Sequence, residues 1–193
     1  VLCPNTSVKK TISVSQDKYV FDTTSENLSF GTLKESKTIS VTSLGEWTVS
    51  TNVNWISISP KSGNGNSMVS ITASDNTDYN DRSGIVVITC SDNANLTKVI
   101  HVFQEKFVFS LGSYSKEIEA DSTEPITTIV SCSTLWSAIS DSEWLTVSAS
   151  DSTLTMTPTA NTGAERVAIV TITNPLNSTK LTYTIKQQGL KTE

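Results

Sequence analysis

The sequence predicts an all-β chain built from tandem antiparallel β-sandwiches of about seven strands each. Three observations carry that expectation. Ser and Thr together make up 59 of the 193 residues, with hydrophobic residues at 36% and charged residues at only 17%. Apolar and polar residues alternate with period two wherever a segment is long enough to test. One block of residues occurs twice, about 89 positions apart, and such a spacing reads as a repeated structural unit.

The composition suits strands because Thr sits well on a half-buried pleated surface and Ser serves turns. Helices would draw on more Ala, Leu, Glu and Lys. Four Trp, five Phe and four Tyr suffice to seed two small cores, and β-branched apolar residues recur in every segment, which argues against disorder. The net charge of -5 and the pI near 4.9 give no electrostatic footprint for nucleic acid or for an anionic membrane. The longest apolar run, Ile85-Val86-Val87-Ile88, is far too short to span a bilayer, so no membrane insertion of this segment is expected. No secretory leader is visible, which reads as a chain starting after one or as an internal piece.

The repeat is explicit. Trp47 and Trp55 stand eight residues apart, and so do Trp136 and Trp144. Each pair is followed by a turn-rich stretch, an Asn, and an Arg that opens an apolar strand: Asn76 with Arg82, and Asn161 with Arg166. Each block closes on a strand ending in Gln, at Gln104 and Gln187, which lie 22 and 21 residues after their Arg. Gln16-Asp-Lys18-Tyr19-Val20-Phe21 matches Gln104-Glu-Lys106-Phe107-Val108-Phe109. These matches predict three segments: residues 1–18 as the closing hairpin of a preceding, truncated unit, then sandwiches over 19–106 and 107–193. A lone hairpin is marginal in water, so the first segment is expected to pair in cis or in trans.

Within the units, Thr38-Ile39-Ser40-Val41-Thr42, Thr97–Phe103 and Leu181–Ile185 alternate as half-buried strands do. Pro60-Lys61-Ser62-Gly63-Asn64-Gly65-Asn66 reads as a turn cluster. The junctions contain no flexible or Pro-rich linker, and apolar residues follow each closing strand directly. Successive units are therefore expected to touch, giving an elongated and fairly stiff rod.

Taken together, the paired Trp, the segment Trp55-Ile-Ser-Ile-Ser-Pro-Lys-Ser-Gly63, the Asn…Arg before an apolar strand and the closing apolar-x-Gln resemble the BACON domain. The resemblance covers nearly the whole chain, more closely over 25–106 than over 107–190. In the second copy Ser148-Ala-Ser-Asp151 replaces the Pro/Gly turn. The resemblance implies an immunoglobulin-like sandwich in an exported, outer-membrane-associated or otherwise surface-attached protein of Bacteroidetes. Carbohydrate binding is the role it implies first. A rigid spacer, or adhesion to proteins through sheet edges or loops, is the rival.

Chemistry is scarce. His101 is the only histidine and sits within an apolar strand with no acid nearby in sequence, which leaves a His-based triad without partners. No catalytic residue, metal ligand set or cofactor is expected. The cysteines lack metal spacing, and Cys3 and Cys90 fall at one repeated position that Asn174 takes in the next unit. Asp75-Asn-Thr-Asp78-Tyr79-Asn80-Asp81 is the densest run of oxygen donors but lacks the Gly and distal Glu of a calcium loop. Partners are expected to be glycans or surface proteins, together with further domains of the parent chain.

Sugar recognition needs exposed aromatic faces. The repeated Trp residues read mainly as core, as the recurring Trp of such sandwiches is, with Trp55 and Trp144 the ones expected to show an edge. Aromatics outside the repeat, on loops at sandwich ends, are the better ligand candidates. Tyr79 with Asp78, Asn80 and Arg82 forms the leading candidate site, with Tyr114 as a further loop aromatic.

Overall fold

The computed structural model describes residues 11–15 and 19–190. Every regular element among them is a β-strand, and the strands divide into two sandwiches. The expected hairpin over 1–18 lies outside the described residues except for 11–15, which are exposed and carry no strand.

Unit 1 contains β1 (Phe21–Thr23), β2 (Asn27–Phe30), β3 (Glu35–Ser43), β4 (Glu46–Thr51), β5 (Ile56–Ser59), β6 (Ser62–Asn64), β7 (Ser67–Ala73), β8 (Arg82–Cys90) and β9 (Thr97–Gln104). One sheet runs β1-β3-β7-β5 and the other β2-β9-β8-β4-β6. Unit 2 contains β10 (Phe109–Leu111), β11 (Ser115–Ile118), β12 (Ile126–Cys132), β13 (Ser137–Ser140), β14 (Leu145–Ser150), β15 (Thr153–Pro158), β16 (Arg166–Thr173) and β17 (Lys180–Gln187). Its sheets are β10-β12-β15-β14 and β11-β17-β16-β13.

All pairings are antiparallel but two. The first strand of each unit is divided between the sheets: β1 pairs antiparallel with β3, while β2 runs parallel to β9, and β10 and β11 repeat this with β12 and β17. Counting the divided strand once and setting β6 aside leaves seven strands per unit, an immunoglobulin-like sandwich.

The period-two alternation determines which side chains meet between the sheets. In β3, Ile39, Val41 and Ser43 turn inward, and in β8 Val86, Ile88 and Cys90 do so. Unit 1 buries Trp47, Phe30, Ile39, Ile71, Ile88 and Ile100; unit 2 buries Tyr183, Phe107, Leu154, Met156, Ile172 and Ile185. Each such side chain contributes about 1.5–3 kcal/mol when taken fully out of water. Tyr183 fills the position of Ile100 and therefore needs a polar partner, which it has: its hydroxyl donates to the Ser115 carbonyl at 3.2 Å.

The repeated Trp positions part company at one edge. Trp47 is completely buried, its indole N–H donating to the Gly65 carbonyl at 2.9 Å. It lies beneath β6, where a Cβ on Gly63 would stand 2.3 Å from Trp47 Cζ2. The cluster that the sequence marks as a turn is thus partly a strand, because only glycine lets the backbone cross the indole face this closely. In unit 2 no strand corresponds to β6. Ser150 pairs with Thr153 across a two-residue turn at Asp151, whose φ is 49°, and Trp136, expected as core, stays half-buried with its indole N–H on the Asp151 carbonyl at 2.9 Å.

Cys90 is buried, while the equivalent Asn174 is a hydrogen-bonding residue whose amide donates to the Leu135 carbonyl at 3.1 Å and the Cys132 sulfur at 3.0 Å. Cys90 and Cys132 are both free thiols. Asn52 and Asp141 are likewise equivalent, accepting the Ile85 amide at 2.8 Å and the Ile169 amide at 2.9 Å. That amide holds the Asp141 carboxyl below the usual carboxylate range.

A polar knot, a gripped linker and a candidate site

The Asn, Arg and Gln of each repeat come together with the second Trp. Arg82 opens β8 directly opposite Gln104 at the end of β9. Its Nε donates to Gln104 Oε1 at 2.9 Å, one terminal nitrogen donates to the Ser74 and Asp75 carbonyls at 2.9 Å, and the guanidinium lies 4.6 Å from the Trp55 ring centre. Gln104, fully buried, donates onward to the Gly31, Thr32 and Ser74 carbonyls. Asn76, also fully buried, donates to the Asn80 and Glu105 carbonyls. Partial burial pulls the Arg82 pKa below its ordinary value, against the opposing charges of Asp78 and Asp75, yet an arginine side chain remains charged.

Unit 2 repeats this arrangement. Arg166 Nε donates to Gln187 Oε1 at 2.9 Å, its terminal nitrogen reaches the Thr159 and Ala160 carbonyls, and its guanidinium lies 4.3 Å from the Trp144 ring centre. Asn161 donates to the Ala164 and Gln188 carbonyls. Such a knot satisfies loop carbonyls that burial would otherwise orphan.

The residues expected to form a ligand site therefore separate. Arg82, Trp55 and Trp144 are occupied within the knots; both Trp are half-buried and roofed by guanidinium. Asp78, Tyr79 and Asn80 remain exposed on the loop between β7 and β8. Tyr79, 51% exposed, packs edge-on against Phe107 with ring centres 5.5 Å apart. Tyr114 belongs to the bend between β10 and β11 of unit 2, where its carbonyl accepts the Thr184 amide at 2.9 Å.

That same loop grips the linker, a role the sequence did not announce. Only residues 105–108 separate β9 from β10, and each of their four amides is hydrogen-bonded. Glu105 donates to the Phe30 carbonyl at 3.0 Å, Lys106 to Asp81 Oδ1 at 2.8 Å, Phe107 to the Asp78 carbonyl at 2.8 Å and Val108 to Ser133 Oγ at 2.8 Å. The Lys106 carbonyl accepts from Thr32 Oγ1 at 2.8 Å. Phe107 itself is buried in the core of unit 2. Asx residues favour local turns, and the signal for this second role was the acidic run lying just ahead of a strand that faces the junction.

The outer sheet faces were also missed. In unit 2, Ile139, Val167 and Ile169 are 69%, 51% and 42% exposed; in unit 1, Val99 and Phe103 of β9 point outward from the corresponding sheet. Their signal was a continuous apolar run, Val167–Val170, on a strand that has only one buried face. His101 is exposed and borders a shallow groove of about 270 Å³ with Asn27, Asn52, Ile85 and Phe103; no carboxylate or cysteine lines it. Among the described residues no group of three or more His, Cys, Asp or Glu is placed to hold a metal ion, and no helix is long and apolar enough to cross a membrane.

Residues 45–105 and 134–188 match the model of the family named BACON, described as "Putative binding domain, N-terminal". The chain belongs to the BACON family. The two matched BACON segments hold both Trp pairs and both Arg–Gln ladders. No curated protein matches the sequence. Among solved structures, a Bacteroides ovatus GH5 xyloglucanase in complex with a XXXG heptasaccharide is 26% identical over 46% of this chain and 19% of that one, with a TM-score of 0.42. The zebrafish RET cadherin-like domains 1 to 4 are 10% identical over 91% of this chain and 52% of that one, with a TM-score of 0.47. The titin domains z1z2 in complex with telethonin are 13% identical over 92% of this chain and all of that one, at 0.37. These BACON units thus span about a fifth of the xyloglucanase's length.

Proposed function

We propose that this BACON pair is a non-catalytic presenting array of an exported, surface-attached protein, holding neighbouring domains of the parent chain at a set distance and orientation. The gripped linker carries this reading: with all four amides of residues 105–108 bonded, the units have no free tether about which to swing. Short linkers packed on both sides transmit orientation, whereas solvated Gly/Ser chains do not. In 15N relaxation of the intact chain, the two units are expected to share one rotational correlation time. The double variant Tyr79→Ala/Asp81→Ala removes the ring contact with Phe107 and the acceptor of the Lys106 amide, and its units are expected to tumble faster and separately. Independent tumbling already in the unaltered chain rejects the presenting role.

One observation favours glycan contact as a second reading. Tyr79 presents half of its surface to solvent between the exposed Asp78 and Asn80, an aromatic face beside hydrogen-bonding groups of the kind that pyranose rings stack upon. A glycan array followed by titration calorimetry tests it. Binding that disappears in Tyr79→Ala places sugar at this loop, and absence of binding across mucin, host and plant glycans removes the reading.

A further inference from the structure

The two units close alike, but only the first closing segment is covered. At the first junction the Glu105 amide donates to the Phe30 carbonyl at 3.0 Å and the Phe107 amide to the Asp78 carbonyl at 2.8 Å. The Asn76 side chain donates to the Glu105 carbonyl at 2.9 Å. Past Gln187 the same three bonds recur. Gln188 donates to the Ile118 carbonyl at 2.9 Å, Leu190 to the Gly163 carbonyl at 3.0 Å and Asn161 to the Gln188 carbonyl at 2.9 Å. Phe107 and Leu190 each follow their closing Gln by three residues, so Leu190 stands against unit 2 as Phe107 stands against unit 1. The backbone between is seated closely, since a Cβ on Gly189 would lie 2.8 Å from the Glu165 amide nitrogen.

The two side chains differ in what covers them. Phe107 is fully buried in the core of unit 2 and packs against Tyr79. Leu190 is 58% exposed. The loop that holds it is one residue shorter, with Asn161 and Arg166 five apart where Asn76 and Arg82 are six apart, and it contains no aromatic residue. Fixing the backbone of one residue costs about 1–2 kcal/mol in lost freedom, and segments that leave a domain fray unless tied down. Residues 188–190 are tied down without burying the leucine.

We propose that the closing end of unit 2 is a seat for a further folded domain of the parent chain, which follows Leu190 without a free tether and takes that side chain into its own apolar interior. This rests on the presenting-array reading and adds where the next body sits. The first junction identifies the occupant, because the body that these three bonds position there is the next domain of the same chain. The seated domain is not required to be a third copy of these units: Lys191 and Thr192 stand where unit 2 has Val108 and Phe109. It must offer an apolar socket for Leu190 and a side chain to fill the place that Tyr79 takes at the first junction.

The probe is the full chain through Leu190 followed by a segmentally labelled second copy of residues 108–190, so that Leu190 meets the body that Phe107 enters. In 15N relaxation all three units are expected to share one rotational correlation time. The Leu190 amide is expected to exchange with solvent about tenfold or more slowly than in the two-unit chain, because its opening now requires undocking. Gly-Ser-Gly-Ser inserted between Gln188 and Gly189 is expected to free the third unit alone. Leu190→Phe restores the core residue of the added copy and so guards against its misfolding. The proposal is overturned if the third unit tumbles independently with leucine and with phenylalanine while units 1 and 2 move together, or if the insertion changes nothing. Separate tumbling of units 1 and 2 defeats the presenting role itself, and this inference with it.

Discussion

Replacing Gln104 with leucine is expected to lower the unfolding free energy of unit 1 by about 3–5 kcal/mol, since a buried donor or acceptor left without its partner costs about 1–3 kcal/mol and more when charge is involved. The side chain is completely buried; it donates to three carbonyls and accepts from Arg82 Nε. Leucine fills a similar volume but leaves the Gly31 carbonyl and Arg82 Nε without their partner, while the Thr32 and Ser74 carbonyls each keep one other donor, the Asn76 amide and the Arg82 terminal nitrogen. Urea unfolding followed by NMR separates the two units. If the loss arises from the orphaned charge, Arg82→Leu combined with Gln104→Leu will cost less than the sum of the single changes. A loss below about 1 kcal/mol for Gln104→Leu means that water enters and replaces the lost bonds.

Trp47→Ala is expected to cost about 3–5 kcal/mol, the range for removing a large aromatic side chain from a packed core. Trp136→Ala is expected to cost roughly half as much, because hydrophobic loss scales with the area that had been removed from water. Trp47 is sealed by Gly63 of β6, while Trp136 has only the Asp151 turn beside it and stays half-buried. Thermal unfolding of the two variants gives the comparison. Equal losses contradict the account in which β6 is what distinguishes the two positions.

Much of the architecture was legible because it depends on short-range pattern. The 89-residue displacement of the Trp pairs, the alternation in β3 and the Arg-to-Gln intervals of 22 and 21 residues each describe one sandwich, and the Arg–Gln interval is now seen as the length of a β8–β9 hairpin that brings the two side chains opposite each other. The destination of a side chain was less legible. Arg82 after an Asx-rich run looks like a surface ligand residue; its burial over Trp55 follows only once β9 lies alongside β8. The segment Ser62-Gly63-Asn64 has the composition of a turn, and only the indole beneath it makes it a strand. Cys90 and Asn174 stand at equivalent strand ends, yet the hydrogen bonds of Asn174 became visible only once residues 132–135 lay beside residues 174–179. The Asx loop showed its exposed Tyr79 to sequence reasoning but not its grip on Lys106 and Phe107, since that contact joins residues on either side of two intervening strands.

The parallel pairing of β2 with β9 bears on what happens when the array is pulled. Chain direction along β2 and β9 is the same, so tension applied through the ends of a unit drags these two strands past each other lengthwise. Their hydrogen bonds are then loaded in shear and resist together, whereas a hairpin pulled open from one end yields one rung at a time. β11 and β17 are arranged in the same way. Each unit thus places one shear-loaded strand pair in series with that of its neighbour.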